Sequence, residues 1–292
     1  MEYDNVITEL SLLFKEIYPI SCYTEETAVH KFLNPKDKYD QLFDKDHYRN
    51  DIRLFLKQHQ YKQIRIGADL PWWGKKYFTS QKGVRVMIIS QDSNTPDAGS
   101  ITCYAHLMRY FKKAEYSSYI KKNRLAAFTG WNDVKTLICE AGIDLDFLYI
   151  TDGRKVYPTE SLQYKNASSD SDEERKFKEK KRKSIIQSMS KRHKEVNANL
   201  LKSEIKFCDP DVIIALGGVG LFLLDVSKNI TNLLHNELYW AYIEDSSQKY
   251  WEEKKRIEIA PFPSGSNNAL LGYRSKAINS IRSVIELYKN KE

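Results

Sequence analysis

Three strand-like runs of apolar and β-branched residues each lead directly into a polar loop, and this arrangement restricts the fold more than any other feature. The runs with their loops are VMIISQDSNTP at 86–96, FLYITDGRKVYP at 147–158 and IEIAPFPSGSNN at 257–268. A fourth run, DVIIALGGVG, lies at 211–220. Apolar strands that end in polar, glycine- or proline-containing loops are typical of α/β sheets, which place their chemistry at the carboxyl ends of the strands. The sequence therefore predicts one pocket built from several strand ends.

Helical patterns alternate with these strands and predict a three-layer α/β/α sandwich with a mainly parallel central sheet. Strands are expected at 84–90, 147–151, 211–216, 237–243 and 256–260, and helices at about 103–114, 131–141, 219–227 and 268–289. The segment GADLPWWGKKYF at 67–78 is typical of a loop. Apolar residues at helical spacing over 2–18 and 38–60 predict an N-terminal helical extension. We therefore expect this extension over 1–80 and an α/β domain over 81–292.

Composition narrows the class of protein. With 292 residues, 41% of them hydrophobic, the chain can bury a full core. No run approaches the roughly 18 apolar residues of a membrane span, and the acidic, helix-patterned N-terminus differs from a signal peptide. The four cysteines are far apart and form no CxxC, which is typical of core thiols in a reducing compartment. We expect a cytoplasmic protein without a membrane partner. The net charge of +7 favours a polyanionic binding partner.

A basic insertion is expected over about 161–195, where the composition changes. It is rich in Ser and Asp at 167–172 and continues as RKFKEKKRK at 175–183. Such composition predicts an exposed, partly disordered segment, which would lead into a helix ending near Phe207. A charge run is usually a solvated face, but beside the binding pocket of a polyanion its lysines, including Lys180 and Lys181, could hold phosphates.

The strand-end segments, taken in order, resemble motifs of the uracil-DNA glycosylase superfamily. SQDSNTP at 90–96 is similar to the water-activating loop, GQDPYH in the uracil-specific branch, and retains its Gln-Asp pair. Residues 128–158 are similar to the FVGxAGxLLxxxGI…VYITNxVKxxP stretch of the iron–sulfur branch, residues 209–220 to a P-x-V-I-V-A-L-G strand and turn, and residues 261–268 to the HPSP loop. The resemblance covers about 84–290. It implies a DNA glycosylase that flips a base out of the duplex and cuts its bond to the sugar.

The first motif assigns chemistry to Asp92. Cleavage of an N-glycosidic bond leaves positive charge on the sugar, and an ionised carboxylate beneath the ring can stabilise that charge and orient the attacking water. The alternative is a turn aspartate that caps the next helix. Gln91 is expected to contact the base. Asn94 stands where the uracil-specific loop has a tyrosine that blocks substituents at the pyrimidine 5-position, and this shorter side chain would leave room there.

Asp152 is the substitution that points to a different base. The family's asparagine at this position reads uracil, donating to O4 and accepting from N3–H, whereas cytosine presents a donating amine and an accepting N3. A protonated aspartate satisfies both cytosine groups, and burial beside Asp92 would favour that form. Donation to N3 would also improve the leaving group. The alternative is a helix-capping or salt-bridged aspartate in an inactive pocket.

The remaining assignments follow from the resemblance. Phe128 matches the phenylalanine that stacks on the flipped base, although an ordinary core aromatic is the alternative. Phe262 replaces the histidine that stabilises charge on uracil O2. The family's loop serine, which holds a DNA phosphate, corresponds to Ser264. Further DNA-contacting residues are expected at four positions, Ser266, Asn267, Lys155 and Arg274. Candidates for the wedge that fills the vacated base stack are Trp72, Trp73 and Leu270.

No cofactor and no metal are expected, because Val156 stands where the iron–sulfur branch has a cluster cysteine and no N-terminal CxxC exists. The sequence thus predicts a monofunctional glycosylase acting on double-stranded DNA with a flipped base, with no obligatory protein partner. A 5-substituted cytosine is the favoured substrate, and defence against phage with modified DNA is a role that would follow. Two alternatives remain open: a repair glycosylase for uracil or mispaired thymine, and a non-catalytic reader of modified DNA.

Overall fold

A computed structural model describes residues 3–14, 66–68, 71–92, 129–154, 156–158, 164, 167–192, 194–227, 229–262, 270 and 272–291. The helices are α1 (Tyr3–Phe14), α2 (Thr129–Glu140), α3 (Asp172–Arg192), α4 (Lys194–Cys208), α5 (Gly218–Leu223), α6 (Ile230–His235) and α7 (Arg274–Lys289). The strands are β1 (Ile66–Ala68), β2 (Trp72–Trp73), β3 (Val86–Asp92), β4 (Leu148–Arg154), β5 (Val156–Pro158), β6 (Val212–Leu216), β7 (Trp240–Ile243) and β8 (Lys255–Ala260). The expected α/β class is confirmed.

Six of these strands form one mixed sheet in the order β2-β4-β3-β6-β8-β7. The four central strands, β4, β3, β6 and β8, run parallel to one another, and the edge strands β2 and β7 run antiparallel to their neighbours. A separate two-stranded antiparallel sheet joins β1 to β5. Because the central strands are parallel, their carboxyl ends lie at one edge of the sheet, where the sequence predicts the pocket.

The central strands form where they do because their side chains are apolar on both faces. The residues of β6 are all buried, as are those of β4 from Leu148 to Gly153. Such strands need helices on both sides. Two glycines allow α5 to approach closely: a Cβ at Gly220 would lie 2.9 Å from Ile89 Cγ2, and one at Gly153 would lie 3.0 Å from Val219 Cγ1. Helix α5 therefore packs directly against β3 and β4 beside their carboxyl ends.

One face of β4 is anchored to α4 by a buried carboxylate. Glu204 has no exposed surface, and its Oε1 accepts hydrogen bonds from the hydroxyl of Tyr149 and from that of Thr151, both at 2.7 Å. These two hydrogen bonds to one carboxylate oxygen offset part of the cost of burying Glu204. The odd-numbered positions of β4 therefore face α4.

Asp152 belongs to the opposite face of the sheet. Successive side chains of a strand alternate between faces, so Asp152 points away from Glu204. Ile150, two residues before Asp152, lies on the same face. Its cross-strand neighbours on that face are, in order, Ile88, Ile214 and Glu258. Glu258 is buried, and its Oε2 accepts a hydrogen bond of 2.7 Å from Ser280 of α7. The face that carries Asp152 is therefore the one on which α7 packs.

The expectation of a loop over 67–78 is wrong at two places. Ile66–Ala68 pairs with β5, and Trp72–Trp73 pairs with β4 as the edge strand of the large sheet. Both tryptophans are buried, and the ring of Trp73 stacks on Tyr149 with 6.2 Å between centroids. Glycine and proline around this short strand gave it the composition of a loop, whereas pairing with a distant strand determines its structure. The domain division at residue 80 stays a prediction.

The expected disorder of the basic insertion is wrong for Asp172–Arg192, which forms α3. Ser171 and Glu174 make a capping box: Glu174 N–H donates to Ser171 Oγ at 3.3 Å, and Ser171 N–H donates to Glu174 Oε2 at 2.8 Å. Acidic residues in the first turn also complement the positive end of the helix dipole. These local signals start a helix despite the high charge.

The expected N-terminal helix is confirmed for Tyr3–Phe14, where Val6 and Leu10 are fully buried. The helices expected at 38–60 and 103–114 lie outside the described residues. Within the described part of the chain, no helix combines the length and apolarity needed to cross a membrane.

Candidate functional site

The two aspartates singled out by the resemblance lie on adjacent parallel strands. Asp152 of β4 pairs in register with Ser90 of β3, and the next pair in the same direction is Arg154 with Asp92. Strand spacing and rise per residue place the Cα atoms of Asp92 and Asp152 roughly 8 Å apart. For Asp92 the structure describes the position in the strand and not the side chain. Both positions are therefore at the carboxyl edge of the sheet.

Asp152 is a buried carboxyl group in the strand itself and not part of an exposed loop. Its exposed fraction is 2%, and those of Ser90 and Thr151 are 4% and 0%. Gly153 follows it, and the absence of a side chain there lets Val219 and Leu223 of α5 cover the strand. A helix-capping role for Asp152 does not fit this position, because its nearest chain neighbours are all in β4.

Gln91 lies across the turn that follows β6. Gly217 in that turn has a φ of 80°, and a Cβ placed on it would be 2.2 Å from Gln91 Nε2. The N–H of Gly217 donates to the carbonyl of Ala260, the last residue of β8, at 2.9 Å. Glycine is required here by both the backbone conformation and the nearby amide. The turn therefore brings the ends of β3, β6 and β8 together.

Phe262 follows β8 at the same edge of the sheet. It is half-buried and packs against the hydrophobic core, two residues beyond Ala260. The structure thus places an aromatic ring at the strand end where the resemblance predicts a base-contacting residue. Its contact with a base stays a prediction.

Arg274, expected to contact DNA, is engaged within the chain. It begins α7, and its Nη2 donates to the carbonyl of Asp133 in α2 at 2.7 Å, while Nη1 lies 3.3 Å from the Asp133 carboxylate. Its side chain is 19% exposed. In this arrangement Arg274 joins α7 to α2. To contact DNA as expected, its guanidinium would have to do so while it binds Asp133.

Lys180 and Lys181 are exposed on α3. Helix α3 packs against β5, which begins two residues after the last residue of β4. The basic helix is therefore connected to the strand that carries Asp152.

Several expected site residues cannot be placed. Asn94, Phe128, Lys155, Ser264, Ser266 and Asn267 lie outside the described residues. The wedge candidates are described and are all buried, with exposed fractions of 5% for Trp72, 3% for Trp73 and 4% for Leu270. Their burial is incompatible with a wedge, which must project from the surface to enter the base stack.

The sequence reasoning missed Glu204, which holds β4 in place. Burial, followed by the nearby Cys208 thiol and the Glu204 carboxylate, raises the pKa of the Tyr149 hydroxyl well above its usual value. The signal was available in α4, where Glu204 follows Leu200 at i+4 on the buried face of an amphipathic helix. A charged residue inside such a face indicates a buried polar partner.

A separate cavity of about 380 Å³ lies at the opposite edge of the sheet, before β3 and β6. It is lined by Tyr77, Phe78, Ser80, Gln81, Gly83, Arg85, Phe207, Cys208 and Asp211. The charge of Arg85 is balanced by Asp209 at 3.3 Å and Asp211 at 3.6 Å. This cavity is remote from the aspartates at the strand ends, and its paired charges select no particular ligand.

Among the described residues, no group of three or more His, Cys, Asp or Glu side chains could hold a metal ion. No protein-family model matches the chain, and no curated protein matches its sequence significantly.

Proposed function

We propose that this protein is a monofunctional DNA glycosylase that removes a 5-substituted cytosine from double-stranded DNA. The observation that supports the proposal is the position of Asp152: a buried carboxyl group at the carboxyl end of β4, one register step from the position of Asp92 on the neighbouring parallel strand. A flipped base entering this edge would meet one acidic group suited to the base and another suited to the sugar.

In the proposed reaction, the bond between N1 of the base and C1′ of the sugar breaks. The electron pair of that bond leaves with the base, and water adds to C1′. The proton that the water loses is balanced by the proton that the departing base takes up. Asp92, as a carboxylate, would stabilise the positive charge on the sugar and orient the water. Asp152, in its neutral acid form, would accept from the exocyclic amine of cytosine and donate to N3.

We also propose a more specific architecture within the α/β class, a three-layer α/β/α sandwich with a mainly parallel sheet. Helices α4 and α5 contact β4, whereas α7 contacts β8 and β6 and is joined to α2. We further propose that the protein acts in the cytoplasm. Since excision of plain cytosine would damage the host genome, a substrate that marks foreign DNA, as in phage with modified cytosine, would suit a role in defence.

The test is release of bases from duplexes that differ at a single cytosine. Duplexes carrying cytosine, 5-methylcytosine, 5-hydroxymethylcytosine, a glycosylated hydroxymethylcytosine or uracil would be incubated with the protein and then cleaved with alkali at abasic sites. Cleavage at a 5-substituted cytosine but not at plain cytosine is the expected result. Cleavage at uracil alone would indicate a repair enzyme instead.

The replacement of the family's histidine by Phe262 favours a second candidate, a non-catalytic reader of modified DNA. Loss of that histidine removes one group that stabilises charge on the leaving base. Tight binding of a modified duplex that depends on Asp152 but yields no abasic sites would identify a reader.

A further inference from the structure

Helix α3 has a cationic outer face. Within residues 172–185, the less exposed side chains are Lys178, Arg182 and Ile185, which lie one turn apart on one side of the helix. Lys176, Lys180 and Lys183 occupy the other side at i, i+4 and i+7, and all three are exposed. They span about 10 Å along the helix axis, given a rise of about 1.5 Å per residue.

The described part of the protein balances little of the charge in the basic run of this helix, residues 175–183. Residues 175–183 contain seven Lys or Arg and one Glu, a net charge of 7 − 1 = +6. Among the residues that the structure describes, Lys178 is the sole member of this run in an ion pair, with Asp170 at 2.5 Å. Repulsion between like charges on neighbouring turns opposes helix formation, so an external polyanion would stabilise the helix.

An aromatic ring is exposed beside these lysines. Phe177 is the only apolar residue between Asp172 and Lys183, yet its exposed fraction is 56%. Lys181 Nζ lies 5.8 Å from the centroid of its ring. A single ring cannot form the apolar stripe that a membrane-surface helix requires. A ring flanked by cations instead suits an unpaired nucleic-acid base, on which it can stack while the cations contact phosphates.

We propose that the outer face of α3, formed by Lys176, Lys180, Lys183 and the neighbouring Phe177, binds a DNA strand. The lysines would contact consecutive phosphates, and Phe177 would stack on a base that has left its pair. The proposal rests on the proposed function for the identity of the partner and extends it by placing a stacking residue on α3. Helix α3 packs against β5, which begins two residues after β4 ends, so the proposed interface is linked through the chain to the strand that carries Asp152.

The lysines are tested by the salt dependence of binding to single-stranded oligo-dT. The triple variant K176Q/K180Q/K183Q is compared with K75Q/K289Q/K291Q, which removes the same charge from other exposed positions. The slope of log K against log salt is negative, and each lost phosphate contact reduces its magnitude by about 0.7 on a single strand. The magnitude should therefore fall by roughly 2 in the first variant and change little in the second. Equal slopes in the two variants would overturn the proposal.

Phe177 is tested with two strands of equal length, oligo-dT and a strand of abasic spacers that keeps the phosphates but has no bases. F177A should bind oligo-dT about fivefold or more weakly than the parent, and F177L should share this loss because it has no aromatic face. Neither change should alter binding to the abasic strand. A loss of the same size on both strands would contradict stacking. Since Phe177 is exposed, both variants should fold.

Parallel base-release assays separate this proposal from the proposed function. If the parent releases no base but the α3 variants lose binding as described, the interface stands and the glycosylase proposal fails. If the parent releases a base and the α3 variants bind like their controls, the interface fails alone. Binding to anionic vesicles that needs these lysines, with unchanged DNA binding, would also refute the interface.

Discussion

The hydroxyl of Tyr149 donates a 2.7 Å hydrogen bond to the carboxylate of Glu204, and thereby joins the strand of Asp152 to helix α4. Thr151 donates to the same oxygen. Because all three residues are buried, this contact holds β4 at a fixed position on the helix and leaves the other face of the strand for Asp152.

Replacing Tyr149 by Phe should lower the free energy of unfolding by about 1–3 kcal/mol, the usual cost of removing a hydrogen-bond donor from a buried acceptor. Urea unfolding would measure the change. Y242F removes a hydroxyl from an exposed tyrosine and should have almost no effect. Equal stability of Y149F and the parent would mean that Thr151 alone satisfies Glu204.

Stability should fall at high pH because of the buried tyrosines. Burial is the main cause that raises the pKa of both Tyr149 and Tyr77 well above the usual value of 10.0. The folded state therefore retains these protons while the unfolded state releases them, so their contribution is complete below about pH 10 and is lost as the pH rises further. Unfolding free energies measured from pH 8 to 11 should decline above pH 10, and less steeply for Y149F. A flat profile would contradict burial of both hydroxyls.

Gly217 should tolerate no side chain. G217A would combine a left-handed backbone with a Cβ placed 2.2 Å from Gln91 Nε2. G142A is a matched control, because Gly142 has a φ of +70° but nothing within 4 Å of its added Cβ. G217A should lose more than G142A, because the φ of 80° and ψ of −168° at Gly217 belong to a backbone region that only glycine adopts readily, and because Gln91 must move. If the two variants were equally stable, Gln91 would not be packed on this turn.

D92N should abolish base release while leaving DNA binding nearly intact, because Asp92 is proposed to act on the transition state. Loss of one such electrostatic contribution is expected to slow single-turnover release by about 10²-fold or more. D225N offers a comparison, since Asp225 is exposed, pairs with Lys194 and lies outside the proposed chemistry, and it should keep the release rate of the parent. Unchanged release by D92N would remove Asp92 from the mechanism.

D152N should shift base preference from cytosine-type substrates towards uracil. Asparagine presents a donor to O4 and an acceptor to N3–H, which uracil matches and cytosine does not. One mismatched buried polar contact costs about 1–3 kcal/mol, so the ratio of the two release rates should change roughly tenfold or more. The measurement is that ratio under single-turnover conditions. A constant ratio would show that Asp152 does not read the base.

The site was partly predictable from the sequence. The positions of Asp152 and Gln91 at strand ends follow from apolar runs that stop at polar residues, a local pattern. The burial of Trp72 and Trp73 could not be inferred in the same way, because their partner strand lies more than 70 residues further along the chain. For that reason the sequence could name these two tryptophans only as wedge candidates, and the fold shows that they are buried.

The sequence by itself determined the α/β class, the central strands and the glycine turn after β6, since these depend on side-chain alternation and backbone preferences of nearby residues. The capping box of Ser171 and Glu174 is also a local sequence feature, and it determined where α3 starts. Only the tertiary structure decided that β4 lies beside β3, so that Asp152 faces Ser90, and that Glu204 is buried against Tyr149. Strand order and register depend on contacts between distant segments, which local patterns do not specify.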